Sequence, residues 1–294
     1  MRRAAGPGRD ALRELAGLPT EPRGEPTFTI ALDYPVDSRP RHGYGRPAHP
    51  GVEAVLAQGH ASYADRLTRF LDFCPQLLAI PLVETAPTEP YWTNGWYCGL
   101  DALALYCSIA IDPPARFVEI GSGNSTKYAR RAIRDHGLTT HVTSIDPHPR
   151  AEVDELCDRV IRQGLEDVDL AVFDELAPGD ICFLDGSHRV FMNSDATVFF
   201  TEVLPRLRPG VLIHVHDVFL PWDYPAHISD WWYSEQYLLS CWLLAGNALE
   251  IVLPDFYVST HPDLQHILDP VWDELTWAAV ATNGTGFWFR KRSP

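Results

Sequence analysis

Residues 118–126 read VEIGSGNST. A short apolar run, "RFVEIG" (116–121), enters this stretch, and a helical pattern, "STKYARRAIRDHG" (125–137), leaves it. A strand that passes through two closely spaced glycines into a helix is the opening unit of a parallel sheet that binds ligands at its strand ends. Gly121 and Gly123 allow the tight turn and let a ligand approach the backbone closely. A dinucleotide loop carries a third glycine three residues after the second, and this chain has Thr126 there, so a diphosphate fingerprint is incomplete. Glu119, two residues before the first glycine, suits a cationic ligand better than a diphosphate.

The same alternation continues downstream. "HVTSIDPH" (141–148) reads as a second strand ending at Asp146, 25 residues after Gly121, where an acid can accept both ribose hydroxyls of an adenosine. "RVIRQGLED" (159–167) reads as a third strand, "DICFLDG" (180–186) as a fourth and "GVLIHVHD" (210–217) as a fifth. A helix is expected through "FMNSDATVFFTEVLPRL" (191–207) and a long one over "DWWYSEQYLLSCWLLAGN" (230–247). "EIVLP" (250–254) and "GTGFWFRKR" (284–292) read as closing strands. The expected fold is α/β: a Rossmann-like, doubly wound, mostly parallel seven-stranded sheet with helices on both faces.

Upstream, Val52, Val55, Leu56, Tyr63, Leu67, Phe70 and Leu71 follow helical spacing, and "LDALALYCSIAI" (100–111) is a further apolar helix. The segment 33–50, with prolines at 35, 40, 47 and 50, cannot form a helix interior or a central strand. It reads as an arm lying over the body, a linker, or a lid over the site. The expected organisation is an N-terminal arm and helical cap over 1–90, followed by the nucleoside-binding domain over 91–294.

Composition narrows the function. A net charge of −15 repels phosphate backbones, so nucleic acid is not expected as a partner. No apolar run approaches the ~20 residues of a membrane-spanning helix, and the Arg-, Gly- and Pro-containing start, 1–26, reads as a flexible leader without a secretory signal. Cys74, Cys98, Cys107, Cys157, Cys182 and Cys241 form no CxxC pair and read as buried free thiols of a cytoplasmic protein. The proline-rich arm is long enough to exchange between copies, which leaves a homo-oligomer open.

Taken together, "VEIGSGNST", "SIDPHP" and "DICFLDGSH" resemble the class I S-adenosylmethionine-dependent methyltransferases over roughly residues 91–294. The resemblance implies S-adenosylmethionine as cofactor, with Glu119 and Gly121 near its methionine part and Gly123, Asn124, Ser125 and Asp185 also in the cofactor site. It places Asp146 on the ribose, Gln163, Gly164 or Leu165 near the adenine, and Asp185 where the acceptor site begins.

"FLDGSH" (183–188) and "HVHD" (214–217) end adjacent strands, so Asp185, His188, His216 and Asp217 are expected to meet in one crevice. More narrowly, this resembles the metal-dependent sugar O-methyltransferases of macrolide biosynthesis and the cephalosporin-hydroxylase-like proteins. That resemblance implies a divalent metal on Asp185 and Asp217, with His188 as general base. It departs at His216, where the family has an acid; an imidazole favours iron, manganese or zinc over magnesium. The candidate metal set is therefore Asp185, His216 and Asp217, with His188 as base or as a further ligand. His214 reads equally as a core histidine. Trp222, Asp223, Tyr224, Trp231, Trp232, Tyr233, Glu235 and Gln236 either wall a small-molecule acceptor site or pack a helix. The expected activity is O-methylation of a small-molecule hydroxyl. A nicotinamide oxidoreductase and a catalytically silent cofactor-binding scaffold are the alternatives.

Overall fold

A computed structural model describes residues 33–97, 99–149, 151–275 and 280–293. The leader and Cys98 lie outside the described residues. Seven strands form one sheet in the order β3-β2-β1-β4-β5-β7-β6. They are β1 Arg116–Ile120, β2 His141–Ile145, β3 Arg159–Ile161, β4 Ile181–Leu184, β5 Leu212–Val215, β6 Leu249–Pro254 and β7 Phe287–Lys291. β1 to β5 pair in parallel, and β7 runs antiparallel to both β5 and β6. The seven-stranded, mostly parallel Rossmann-like sheet is the expected one.

The central strands explain the architecture. β4 and β5 are buried at every residue, and β1 at all but its first, so both sheet faces are covered. Each such full burial of Val, Leu, Ile or Phe contributes ~1.5–3 kcal/mol. The helix Asn124–Asp135 turns Tyr128, Ala129, Ala132 and Ile133 to the core and packs on the helix Gly99–Ile111. It ends at Gly137, whose φ of 61° closes the last turn while Leu138 N–H donates to the Ile133 carbonyl at 2.9 Å. Val52, Leu56, Tyr63, Leu67 and Phe70, from the helices Pro50–Ala57 and His60–Phe70, join the same contiguous core as the sheet.

Four local expectations differ. The third strand is only three residues, an edge strand with little burial, and a single 3-10 turn, Leu165–Asp167, follows soon after it. The helix expected over 191–207 begins only at Asp195 and is interrupted by a wide-turned segment, Phe199–Val203, between Asp195–Val198 and Leu204–Arg206. The helix over 230–247 begins only at Glu235. Trp232 before it is left-handed, with φ 59°, and Ser234 N–H is drawn to the His188 carbonyl at 2.8 Å. Finally, Cys107 and Cys182 are buried but Cys241 is exposed, so burial does not hold for every described thiol. Among the described residues, no helix is long and apolar enough to cross a membrane.

Candidate active site

The order reverses between β1 and β4, the point in an open parallel sheet where a ligand crevice is expected outside the carboxyl ends of the strands. Gly121 turns the chain there with φ 78°, and a Cβ on it would collide with the Asp185 carbonyl. The loop therefore lies directly on the end of β4. A Cβ on Gly123 would meet nothing, so this side of the loop is open to a ligand. Asn124 and Ser125 open the helix that follows. Asp146 accepts from Ser122 N–H at 2.8 Å and His148 N–H at 2.7 Å. A carboxylate offers about four acceptor positions, so the two backbone donors leave acceptor positions free on Asp146.

Two expected cofactor residues sit differently from the others. Glu119 is fully buried, and its two oxygens accept from Ser125 Oγ and Thr126 Oγ1, each at 2.5 Å. It braces the strand–helix turn from below, and a ligand reaches it only by displacing those hydroxyls. Burial raises its pKa to about 8 against the pull of those two hydrogen bonds. Gln163 is exposed beyond β3, in a shallow cleft with Arg159, Arg162 and Asp169.

The second cluster comes together as expected. His188 Nε2 stands 3.3 Å from Asp185 Oδ1 and 3.6 Å from Asp217 Oδ2. His216 Nδ1 stands 3.5 Å from Asp185 Oδ1 and 3.7 Å from Asp217 Oδ1. Both imidazoles are held from behind by residues outside the expected set. His188 Nδ1 meets Glu235 Oε1 at 2.5 Å, with both side chains buried. His216 Nε2 meets Asp101 Oδ2 at 3.3 Å. His188 and Asp217 both take left-handed backbone, with φ of 63° and 56°. Such conformations cost ~1–3 kcal/mol each and cluster at working sites.

Charge follows geometry. Burial opposes a proton on His188, but Glu235, Asp185 and Asp217 outweigh it and hold the imidazole well above its usual range. Burial likewise opposes a charge on His216, and Asp185, Asp217 and Asp101 overcome it. Asp185 is held well below the usual carboxylate range, because the two imidazoles outweigh its burial. Glu235 is raised by burial, and the proton of its short contact stays on His188, which has two further carboxylates beside it. His214 is a core histidine: fully buried, stacked on Phe183 at 4.1 Å, and held neutral by burial.

Among the described residues, no group of three or more His, Cys, Asp or Glu side chains is placed to hold a metal ion. The divalent ion expected on Asp185, His216 and Asp217 therefore has no ready-made cage. In place of an ion's charge, the two imidazoles lie against the carboxylates.

The arm and the loop after β5 form the outer wall. Asp223 accepts from Arg41 N–H at 2.7 Å and His42 N–H at 2.8 Å, and Tyr44 stacks edge-on against Trp222. This lays the arm beside a cleft of about 340 Å³ lined by Asp37, Arg39, Tyr224, Trp232, Tyr233 and Tyr237. The Tyr233 ring also packs 4.4 Å from that of His188, so the cleft adjoins the crevice. Trp222 therefore anchors the arm, Asp223 both anchors it and lines the cleft, and Tyr224 and Tyr233 line the space.

A family model described as a methyltransferase domain matches residues 118–218. That span contains the glycine loop, Asp146, Asp185, His188, His216 and Asp217. Comparison with curated proteins finds none that matches. The match covers about a third of the chain and lies over the residues that build the crevice, so this segment is similar to methyltransferase domains.

Proposed function

We propose that the protein transfers a methyl group from S-adenosylmethionine to a hydroxyl of a small molecule, in the cytoplasm, with His188 as general base. The observation that carries this reading is the Glu235–His188 pair. A buried carboxylate at 2.5 Å fixes the ring, and Nε2 faces the crevice between Asp185 and Asp217. A base held by a third group is the usual arrangement for accepting a proton from a weak nucleophile.

S-adenosylmethionine supplies a methyl on a sulfonium: the oxygen–carbon bond forms as the carbon–sulfur bond breaks, and that electron pair stays on sulfur. Gly121 and Gly123 open the space for it, and Asp146 offers acceptors to its ribose. Asp185, at the end of β4, puts negative charge beside that space. His188 is protonated while its three carboxylates are uncompensated. Positive charge brought next to Asp185 offsets them and frees Nε2 to take the hydroxyl proton. The tyrosine-lined cleft beside His188 holds the acceptor.

A divalent ion on Asp185, His216 and Asp217 is the second reading. It is favoured by the way Glu235 and Asp101 hold the two imidazoles from behind, the pattern that aims a ring nitrogen at a metal. Such an ion would orient a chelating acceptor and make its hydroxyl more acidic. Elemental analysis of protein purified without chelators separates the two readings: about one equivalent of iron, manganese or zinc favours the ion.

Calorimetry with S-adenosylmethionine, followed by methyl transfer to a panel of hydroxylated small molecules, tests the main proposal. His188→Gln should keep cofactor affinity and lose ~10²–10⁴ in turnover. Wild-type protein that binds no cofactor would refute the reading.

A further inference from the structure

The cleft beside His188 is walled by rings that stand open. Phe191, Trp232 and Tyr237 all line it, and each is nearly half exposed, at 46%, 45% and 45%. Scattered exposed aromatics are ordinary on a protein surface, but several gathered around one hollow mark a place where something apolar binds. A run of rings leads inward from them. Tyr237 lies 5.8 Å from Tyr224, Tyr224 lies 5.8 Å from Tyr233, and Tyr233 lies 4.4 Å from His188.

Two of the open rings are carried on segments tied to His188 itself. Phe191 follows it by three residues, in a turn closed by Thr197 Oγ1–H on the Phe191 carbonyl at 2.6 Å and by Phe191 N–H on Ser194 Oγ at 3.2 Å. Trp232 stands two residues before Ser234, whose N–H donates to the His188 carbonyl at 2.8 Å. The Trp232 backbone is left-handed, with φ 59°, which so bulky a residue adopts only where its surroundings impose it. The imposed turn leaves the indole half exposed at the cleft instead of packed in the core.

The polar groups of the same wall are largely engaged. Ser38 Oγ–H donates to the Ser229 carbonyl at 3.2 Å, Ser234 Oγ–H to the Trp232 carbonyl at 3.4 Å, and the Tyr237 hydroxyl to Asp223 Oδ1 at 3.0 Å. Asp223 Oδ2 accepts from Arg41 N–H and His42 N–H, and Arg39 Nε lies 2.9 Å from Asp37 Oδ2. An acceptor recognised through several hydroxyls, such as a sugar, has to compete with these contacts. A flat ring meets Phe191, Trp232 and Tyr237 by face or edge and leaves them intact.

We propose that the acceptor is a planar aromatic compound with a phenolic hydroxyl, held by Phe191, Trp232 and Tyr237 with that hydroxyl toward His188. The inference deepens the methyl-transfer reading and rests on it for the fate of the hydroxyl: its proton passes to His188, its oxygen takes the methyl group, and the carbon–sulfur electron pair stays on sulfur. The cleft, at about 340 Å³, is at the small end of ligand pockets, ~300–1,000 Å³, and suits a compact ring system better than a long chain.

2-Naphthol and its saturated counterpart, decahydro-2-naphthol, share a skeleton and a hydroxyl and differ in flatness and π-face. Calorimetry without cofactor measures both on the wild-type protein. 2-Naphthol should bind about tenfold more tightly, as one or two ring–ring contacts provide. Equal affinity, or tighter binding of the saturated alcohol or of a methyl glucoside, overturns the proposal. Trp232→Ala and Phe191→Leu should each narrow the ratio severalfold, whereas Trp232→Phe should keep it. A merely structural role would weaken both ligands alike, so a ratio unchanged in Trp232→Ala and in Phe191→Leu also overturns the proposal. Should Trp232→Ala not fold, Phe191→Leu decides, because its ring lies at an exposed position.

With S-adenosylmethionine added, kcat/KM for methyl transfer to 2-naphthol should exceed that for decahydro-2-naphthol by at least the same ratio, and the reverse order overturns the acceptor role. Cofactor calorimetry on the same sample keeps the two failures apart. Absence of cofactor binding refutes the methyl-transfer reading and with it the acceptor role, whatever the rings bind. Cofactor binding without the ring preference refutes this inference alone.

Discussion

Replacing Glu235 by glutamine keeps the shape of its contact with His188 and removes the charge. In the wild type, the contact is 2.5 Å long, with the His188 side chain 7% exposed and that of Glu235 1%. A hydrogen bond to a charged group contributes ~1.5–3 kcal/mol and a neutral one ~0.5–1.5, so the substitution should cost about 1–1.5 kcal/mol. The larger loss of ~3–5 kcal/mol for a buried charge left alone does not apply, because Asp185 and Asp217 remain beside Nε2. The sign with pH follows from His188 being raised in the folded state. Its stabilisation is complete below the unfolded histidine value, about 6.5, and is lost as pH rises through the folded value. The wild type should therefore exceed Glu235→Gln by about 1–1.5 kcal/mol near pH 6, with the gap closing as pH rises. Urea unfolding at a series of pH values, compared at equal slope, measures this. A gap that widens with rising pH, or none near about pH 6, would refute a charged Glu235–His188 pair.

Three further outcomes are expected. Gly121→Ala combines a left-handed backbone with overlap on the Asp185 carbonyl, so unfolding free energy should fall by at least ~2 kcal/mol and cofactor binding should be lost; a variant as stable as the wild type would mean the loop does not lie on β4. Asp146→Asn should weaken S-adenosylmethionine binding by roughly tenfold in calorimetry, the difference between a charged and a neutral acceptor. Unchanged affinity would place the ribose elsewhere. Asp223→Ala removes the acceptor for Arg41 N–H and His42 N–H, so hydrogen exchange should quicken across 33–50 while β1, β4 and β5 stay protected; an arm as protected as before would show that Asp223 is not its anchor.

Much of this protein is local and was readable along the chain. The glycines at 121 and 123, the acid at the end of β2 and the apolar runs of β4 and β5 each report short-range requirements. Turn geometry, strand burial and helix spacing are set by neighbours within a few residues. The meeting of Asp185 and His188 with His216 and Asp217 was also inferable, because adjacent parallel strands deliver their carboxyl ends to one place. A lone acid in the apolar helix Gly99–Ile111 was a visible signal for Asp101, since such a residue needs a buried partner.

What that signal could not name was the partner, 115 residues away along the chain. Glu235 was hidden in the same way. The helical pattern over 230–247 made it one polar residue among many, and only the pull of His188 on Ser234 breaks that helix and brings Glu235 inward. The arm's course over Asp223 and the sealing of Glu119 beneath Ser125 and Thr126 are likewise products of packing. Periodicity and turn chemistry by themselves determined the sheet and the strand ends that carry the candidate chemistry. Which imidazole nitrogen faces the crevice, and which buried acid holds it, was decided only by tertiary contacts, because a charge's partner depends on proximity in space and not on spacing in the chain.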